Sequence, residues 1–518
     1  MPASAYPAEP AAFENPETPS LLIESLIHGG VFTEPVELIE THISWVILSG
    51  EFAYKIKKPV HFQFADLQTL EQRRQACCDE LKLNSQLAPD LYLDVVEITG
   101  SDAHPELGGK GPVIEYAVRM KRIDQSALLT HVLERGELTA ELIDDLADQV
   151  GVFHCQARVV AADDVAGSPQ AVEHDVLSNF DELVPYLSGE DAAEIHMLRK
   201  AARHDIDHLK RLIEQRKSDG FVRECHGDMH LGNMFLSDGR VIIFDGIDFN
   251  RELRCIDIMN EVAFVMMDLE YRGRGDLAMR FLNRWLEWTG DYDGLDLLPF
   301  YLTYRAVVRA KVETLQSQTP CSCGEKCRLQ NECSAHLHLA SRYANRRPPV
   351  LMITHGPSGS GKTTGTQMLI EQYPAIRIRS DVERKRLNGL APHETSAGRI
   401  YDSGNDRATY DRLRALAGCV LESGYSCVVD ATFHNPDQRA AFRDLADEFR
   451  VPFFILPFTA SRAELEERIT ARQRENADAS EATVSVMEMQ LADFEPPQND
   501  EARFVTSPES LLGSVANN

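Results

Sequence analysis

The sequence predicts two unrelated folds in one chain: an α+β part in two lobes, then an α/β part built on a parallel sheet. Three observations carry this. The 518 residues are too many for one core, and at roughly 100–200 residues per domain they suggest about three structural units. A hairpin and further strands come first, and a long run of helical patterning follows them. Beyond residue 350 an apolar strand runs into a glycine-rich loop and then a helix, the βα unit of parallel sheets.

Composition narrows the class. Hydrophobic content of 43% and aromatic content of 8% suit ordinary globular cores. The formal net charge of -28 speaks against binding nucleic acid or a membrane surface, because either needs a basic face to neutralise phosphates. A local basic pocket for ATP stays compatible with it. No apolar run approaches the roughly 20 residues of a membrane span; Val451 to Phe458 is short and holds two prolines. Residues 1–20, rich in Pro, Ala and Glu, lack the basic and apolar blocks of a signal peptide and are expected to be a disordered tail. The reading is of a cytoplasmic enzyme, so its eleven cysteines are not expected to form disulfides.

In chain order, Leu21 to Gly30 reads as an amphipathic helix. Ile43 to Leu48, a Ser49-Gly50 turn and Glu51 to Lys57 read as a β-hairpin. Lys55, in Ala53-Tyr-Lys55-Ile56, imitates the strand lysine that kinases place on the ATP phosphates. Lys57 faces the same side by strand alternation and is the reserve. The helix Leu70 to Leu87 carries Glu80, an acid able to hold that lysine. Asp90 to Thr99 and Gly111 to Met120 read as strands, and Met120 to Ile123 as the hinge between two lobes. Helices are expected over Thr139 to Ala157, Asp175 to Leu187 and Asp191 to Gln215, with His154 a core or capping histidine. These segments give an N-lobe over 21–120 and a helical C-lobe over 121–344.

The C-lobe contains His226-Gly-Asp-Met-His-Leu-Gly-Asn233, then Val241-Ile-Ile-Phe-Asp245. Asp228 and Asn233 stand five apart, the spacing at which a catalytic loop orients a hydroxyl with the Asp and holds magnesium with the Asn. The apolar strand ending in Asp245 supplies a second carboxylate for metal. Arg254 and Asp257 are expected to support the loop from below, ahead of an apolar helix, Ile258 to Leu269, with helical patterning to about Gln316. Cys321, Cys323, Cys327 and Cys333 crowd one short stretch, with His336 and His338 beyond. Thiolates so close can hold zinc, but no Cys-x-x-Cys pair is present and a cysteine-rich helix end is the alternative.

On these residues the chain resembles the aminoglycoside-phosphotransferase and choline-kinase-like branch of the kinase fold, which has His-Gly-Asp where protein kinases have His-Arg-Asp. The resemblance covers about residues 21–340. It implies ATP between two lobes, held by Lys55 and Glu80, with magnesium on Asn233 and Asp245 and Asp228 as the catalytic base. One departure stands out. No Gly-x-Gly-x-x-Gly loop precedes Lys55, only Ser49-Gly50, which leaves open a degenerate kinase that binds nucleotide without transferring phosphate.

Residues 345–349, basic and proline-rich, read as a linker to a P-loop domain over 350–512. Val350 to Thr354 is a strand leading into Gly356-Pro-Ser358-Gly359-Ser360-Gly361-Lys362-Thr363, followed by Thr364. This Gly-x4-Gly-Lys-Thr loop wraps phosphates with backbone N–H groups at a helix N-terminus. Lys362 is expected on the β/γ phosphates and Thr363 on magnesium. Ile376 to Ile378 leads to Asp381 and Arg384, and Cys427 to Asp430 ends beside Thr432. Ligands bind at such carboxyl strand ends, so Asp381 and Asp430 are both expected to face the γ-phosphate. Arg462, Arg468, Arg472 and Arg474 fall on a helix and loop able to close over it, Arg468 and Arg472 on one face.

This half resembles the P-loop kinases that include polynucleotide 5′-kinases, zeta-toxin-like kinases and gluconate-kinase-like enzymes, over about 350–510. The resemblance implies Asp381 as general base, Arg384 on the acceptor and Asp430 near magnesium. The fusion order resembles bacterial bifunctional proteins that join an aminoglycoside-phosphotransferase-like kinase to an AAA-type ATP-binding domain. The expectation is a bifunctional ATP- and Mg2+-dependent kinase acting on small-molecule hydroxyls, with nucleic acid and membrane not expected as partners. Two alternatives stay open: a pseudokinase regulating the P-loop half, and a nucleic-acid 5′-hydroxyl kinase. Neither acceptor, nor the oligomeric state, nor any coupling of the halves follows from the sequence.

Overall fold

The computed structural model describes residues 20–32, 35–41, 43–62, 65–318, 322–344, 347–396, 403–475, 479–498 and 500–515. The expected tail, save Ser20, Cys321 and part of the linker lie outside them. The chain forms two compact units, residues 1–124 with 244–250, and residues 125–243 with 251–518.

The first unit is built on a six-stranded antiparallel sheet. Its order is Val36–Glu40, Ser44–Ser49, Phe52–Lys57, Val113–Lys121, Tyr92–Ser101, His104–Leu107. The first and last of these short edge strands are additions to the hairpin and two strands expected. Alternation along Phe52–Lys57 sorts its side chains. Tyr54 and Ile56 join a core with Leu22, Ile23, Leu26, Trp45 and Ile47, so the helix Leu21–His28 covers that face. Lys55 and Lys57 therefore point to the other face, which the helix Leu70–Asn84 covers with buried Cys77 and Glu80. That helix starts at a complete capping box, Thr69 with Gln72, which satisfies two amides that would otherwise lack partners.

The second unit holds the remaining helices and a four-stranded parallel sheet. Ahead of the sheet in the chain, the long helices are Ala140–Gln156, Pro169–Leu183, Gly189–Ser218, Ile258–Tyr271, Gly275–Thr289, Leu298–Gln318 and Cys323–Tyr343. The second starts six residues earlier than expected, because Ser168 caps it and Pro169 sits in its first turn, where a missing N–H costs nothing. The sheet runs Ala375–Arg379, Ser426–Asp430, Leu351–His355, Phe453–Pro457, all parallel. All four strands are buried or nearly so, as in a sheet covered on both faces.

The outer edge of Ala375–Arg379 is not left bare. Asn283, from the helix Gly275–Thr289, donates its side-chain amide to the Ala375 carbonyl at 3.1 Å and accepts the Arg377 N–H at 2.6 Å. It occupies the donor and acceptor that a fifth strand would use.

Candidate active sites

In the first unit the strand lysines and the helix acid meet. Lys55 Nζ lies 2.9 Å from Glu80, and Lys57 Nζ 2.7 Å from the other oxygen of the same carboxylate. Each lysine has a second acid, Asp245 for Lys55 and Asp248 for Lys57, both at 2.5 Å. The group is buried. Desolvation works against its charges, but the mutual pairing wins: both lysines are held above their ordinary pKa, and Glu80 is lowered to about 2. Asp245 is the more open partner, its side chain 43% exposed. Its backbone sits at φ 61°, a left-handed conformation that Asp tolerates better than a branched residue. The Tyr92 hydroxyl accepts its N–H, and Asn84 accepts that of Gly246. Lys57, the reserve candidate, is locked by Asp248 and fully buried, whereas Lys55 faces the exposed acid.

In the second unit the loop His226 to Asn233 is fixed from the helix Ile258–Tyr271. Glu261 accepts the Gly227 N–H at 2.6 Å, and Asp268, two turns on, accepts that of Leu231 at 2.8 Å. Glu261 also meets His154 at 2.8 Å, and His154 accepts the indole N–H of Trp285 through its other nitrogen at 3.0 Å. His154 is thus a core residue, as expected. Asn233 donates to the Asp228 carboxylate and carbonyl, both at 2.9 Å, which leaves its amide oxygen for a cation. His230 approaches the same carboxylate at 3.5 Å. Desolvation opposes charge on Asp228, but His230, His226 and Arg309 outweigh it and hold the carboxyl well below its ordinary range. With its side chain 38% exposed, Asp228 is ionised and reachable, as a base for a hydroxyl must be. Arg254 and Asp257 support the elements that hold the loop. Asp257 caps the helix and pairs with buried Arg216, and the Arg254 carbonyl accepts the Cys225 N–H beside the loop.

The cysteine stretch does not assemble a metal centre among the described residues. Cys323 and Cys327 are exposed, and Cys333 is buried against the Thr314 hydroxyl at 3.2 Å. Among the described residues the one cluster of suitable ligands, His154, Cys225 and Glu261, has its histidine engaged at both nitrogens.

The phosphate loop joins Leu351–His355 to the helix Lys362–Gln372. Gly361, at φ 90°, turns the chain into the helix, and a Cβ on Gly356 would lie 2.4 Å from the Phe458 carbonyl. Lys362 Nζ donates to the Gly356 and Pro357 carbonyls, each at 2.9 Å, which folds it back over the loop. Burial lowers its pKa, with Asp430 and Asp381 opposing. Thr363 donates to Asp430 at 2.8 Å. Ser360 Oγ is buried in the loop without a hydrogen-bond partner. An amide-lined turn, a lysine, an orphaned hydroxyl and a Thr–Asp pair together suit a nucleotide phosphate with magnesium.

A cavity of about 540 Å³ opens here. Its walls include Ser358, Gly359, Gly361, Lys362, Thr363, Thr364, Asp381, Arg384, Asp430, Arg468 and Arg472, all anticipated from the sequence. Arg384 pairs with Asp381 at 3.2 Å and with Asp406 at 3.0 Å. Arg468 reaches the Gly359 carbonyl at 3.3 Å. Arg462 turns away to Glu466 and is exposed. Arg379, Asp406, Tyr410 and Gln490 also line the cavity and were not anticipated. The Gln490 side chain accepts the Ser358 N–H at 2.9 Å.

Residues 64–298 match the model of the Phosphotransferase enzyme family, and residues 351–497 match that of the AAA domain. Over 475 residues the chain is 30% identical to the uncharacterized protein Rv2004c of Mycobacterium tuberculosis, covering 90% of this chain and 92% of that one. The chain belongs to this two-part family. The uncharacterized protein Mb2027c of Mycobacterium bovis is a member to the same extent, 30% identical over 475 residues. Among solved structures, the amicoumacin kinase hAmiN in complex with AMP-PNP, Ca2+ and Ami is 14% identical, with 61% of this chain and 92% of that chain covered and a TM-score of 0.38. A gluconokinase from Sinorhizobium meliloti 1021 is 20% identical, with 33% and 97% covered and a TM-score of 0.23. Family membership makes the chain a kinase-type phosphotransferase, with a phosphotransferase-fold part followed by a P-loop part. No helix among the described residues is long and apolar enough to cross a membrane.

Proposed function

We propose that the chain is a cytoplasmic bifunctional enzyme, each part transferring the γ-phosphate of ATP to a hydroxyl of a small molecule. The observation that supports two activities is the presence of two separate carboxylate centres. Asp228 is ionised and held by Asn233 and His230. Asp381 stands separately in a cavity with the phosphate loop and Asp430. In the first, Asp228 takes the proton of the attacking hydroxyl, while Lys55, fixed by Glu80, is the group for the nucleotide phosphates. In the second, Asp381 takes the proton and Arg384 orients the acceptor. Magnesium would be held by Thr363 with Asp430 in the P-loop part, and by Asn233 and Asp245 in the phosphotransferase part, where it supplies charge neutralisation to the phosphates.

Substitution separates the two. ATP consumption is followed with the intact protein against a panel of hydroxyl-bearing metabolites and antibiotics. Lys362→Ala is expected to abolish one acceptor-dependent activity and spare another; Asp228→Ala is expected to do the reverse. If neither change alters consumption with any acceptor, the two-activity reading fails.

One observation favours a second reading. The hairpin before Lys55 turns through Gly50 and Glu51 alone, so no loop of that hairpin covers phosphates. The phosphotransferase part would then bind nucleotide and regulate the P-loop part. Nucleotide binding that depends on Lys55, with no turnover that depends on Asp228, is the result that would select it.

A further inference from the structure

The helix Gly275–Thr289 lies within the residues matched by the phosphotransferase family, yet its last turns are built into the P-loop part. Glu287 is the centre of that contact. It is fully buried, and its two carboxylate oxygens reach Arg377 at 3.0 Å and Arg379 at 3.1 Å. Desolvation opposes its charge, but Arg379, Arg377 and Arg284 overcome it and hold the carboxyl below its ordinary range.

Both arginines lead to the phosphate loop's cavity. Arg377 uses its other terminal nitrogen to donate to the Thr363 carbonyl at 3.2 Å. Thr363 is the residue whose hydroxyl meets Asp430. Arg379 lines the cavity two residues before Asp381. The contact is reinforced on either side. Arg280 bridges Asp144 and Glu371, the latter on the helix that follows the phosphate loop. Arg386, from the helix that carries Asp381 and Arg384, donates to the carbonyls of Leu286, Glu287 and Trp288 and so caps the end of Gly275–Thr289.

A buried carboxylate among three guanidinium groups gains little stability over apolar packing of the same volume. What it supplies is fixed geometry, because a bidentate acceptor allows its partners few orientations. We propose that Glu287 is a positioning residue for the P-loop site. Through Arg377 it sets the peptide of Thr363, and through Arg379 it sets the cavity wall beside Asp381. The P-loop part thus takes one of its supports from the phosphotransferase part. This rests on the reading of Lys362 and Thr363 as a magnesium-nucleotide site.

Thr363 is the magnesium-side residue, so the effect should fall on the metal-dependent share of binding. The measurement is ADP affinity by calorimetry on the full chain, with magnesium and with EDTA, counting only the binding that Lys362→Ala removes. Glu287→Gln is expected to lower the magnesium enhancement roughly 3- to 30-fold, while the affinity in EDTA stays within about twofold. Arg377→Gln should do the same, and the double variant should lose no more than the worse single one, since both cut one connection. An equal loss with and without magnesium, or no loss, overturns the proposal, because a merely structural role moves both alike. If Glu287→Gln fails to fold, Arg377→Gln decides by the same ratio. If the unaltered chain shows no Lys362-dependent ADP binding at all, the nucleotide reading of the loop falls, and this inference falls with it.

Discussion

Glu80 is the residue on which the lysine pair of the first unit depends. Its carboxylate is shared between Lys55 and Lys57, both buried. Glu80→Ala leaves two buried ammonium groups short of an acid and is expected to cost about 3–5 kcal/mol, read by urea unfolding. Lys57→Met keeps the volume and leaves Glu80 paired with Lys55, but it strips buried Asp248 of its lysine, so it too is expected to cost about 3–5 kcal/mol. That Glu80 and Lys55 would meet was legible from the kinase-like order of strand and helix. That Lys57 would be locked by Asp248 was not, since 191 residues separate them and nothing local ties the two. Asp228 and Asn233 were legible because their roles depend on a spacing of five within one loop. Arg379, Tyr410 and Gln490 were not, because three separate elements bring them to one wall.

Among elements, two helices show how a site is held by segments that carry no motif. Ile258–Tyr271 is buried over nearly its whole length, and two of its three acids, Glu261 and Asp268, seven apart, face one way to take amides of the loop. The signal was in the sequence, since acids in an otherwise apolar helix need partners, but their target was a matter of tertiary packing. Leu70–Asn84, the carrier of Glu80, has a weak apolar pattern and relies on its cap. Thr69→Ala is expected to cost about 1 kcal/mol by thermal unfolding, with Thr69→Ser largely restoring it. The parallel sheet was legible from strands that end in functional residues. The short strands Val36–Glu40 and His104–Leu107 were missed, because edge strands of so few residues carry little periodicity.

At the scale of the whole molecule, stability should fall in acid. Glu80, Glu261 and Glu287 are all held below their ordinary pKa by buried cationic or hydrogen-bonding partners that outweigh desolvation. A folded pKa below the unfolded one means that protonation favours unfolding. The stabilisation is therefore complete above the ordinary value of 4.5 and is lost as pH falls from there to about 2, the folded value of Glu80. Asp248 and Asp291, raised chiefly by burial, run the opposite way and soften the loss. Urea midpoints should drop between neutral pH and about pH 3, and Glu80→Gln should flatten that slope. An unchanged slope in Glu80→Gln would show that other groups govern the acid transition.

The contact through Asn283 bears on inheritance. Two enzymes joined by a plain tether could be recombined, lost or exchanged singly in the course of descent. Here a cut at residues 345–349 would strip the strand Ala375–Arg379 of the side chain that stands in for a neighbour. The liberated part would present an open row of amides and carbonyls, a template for pairing with further copies. A relative that carried only the second part would therefore need a substitute cover for that edge.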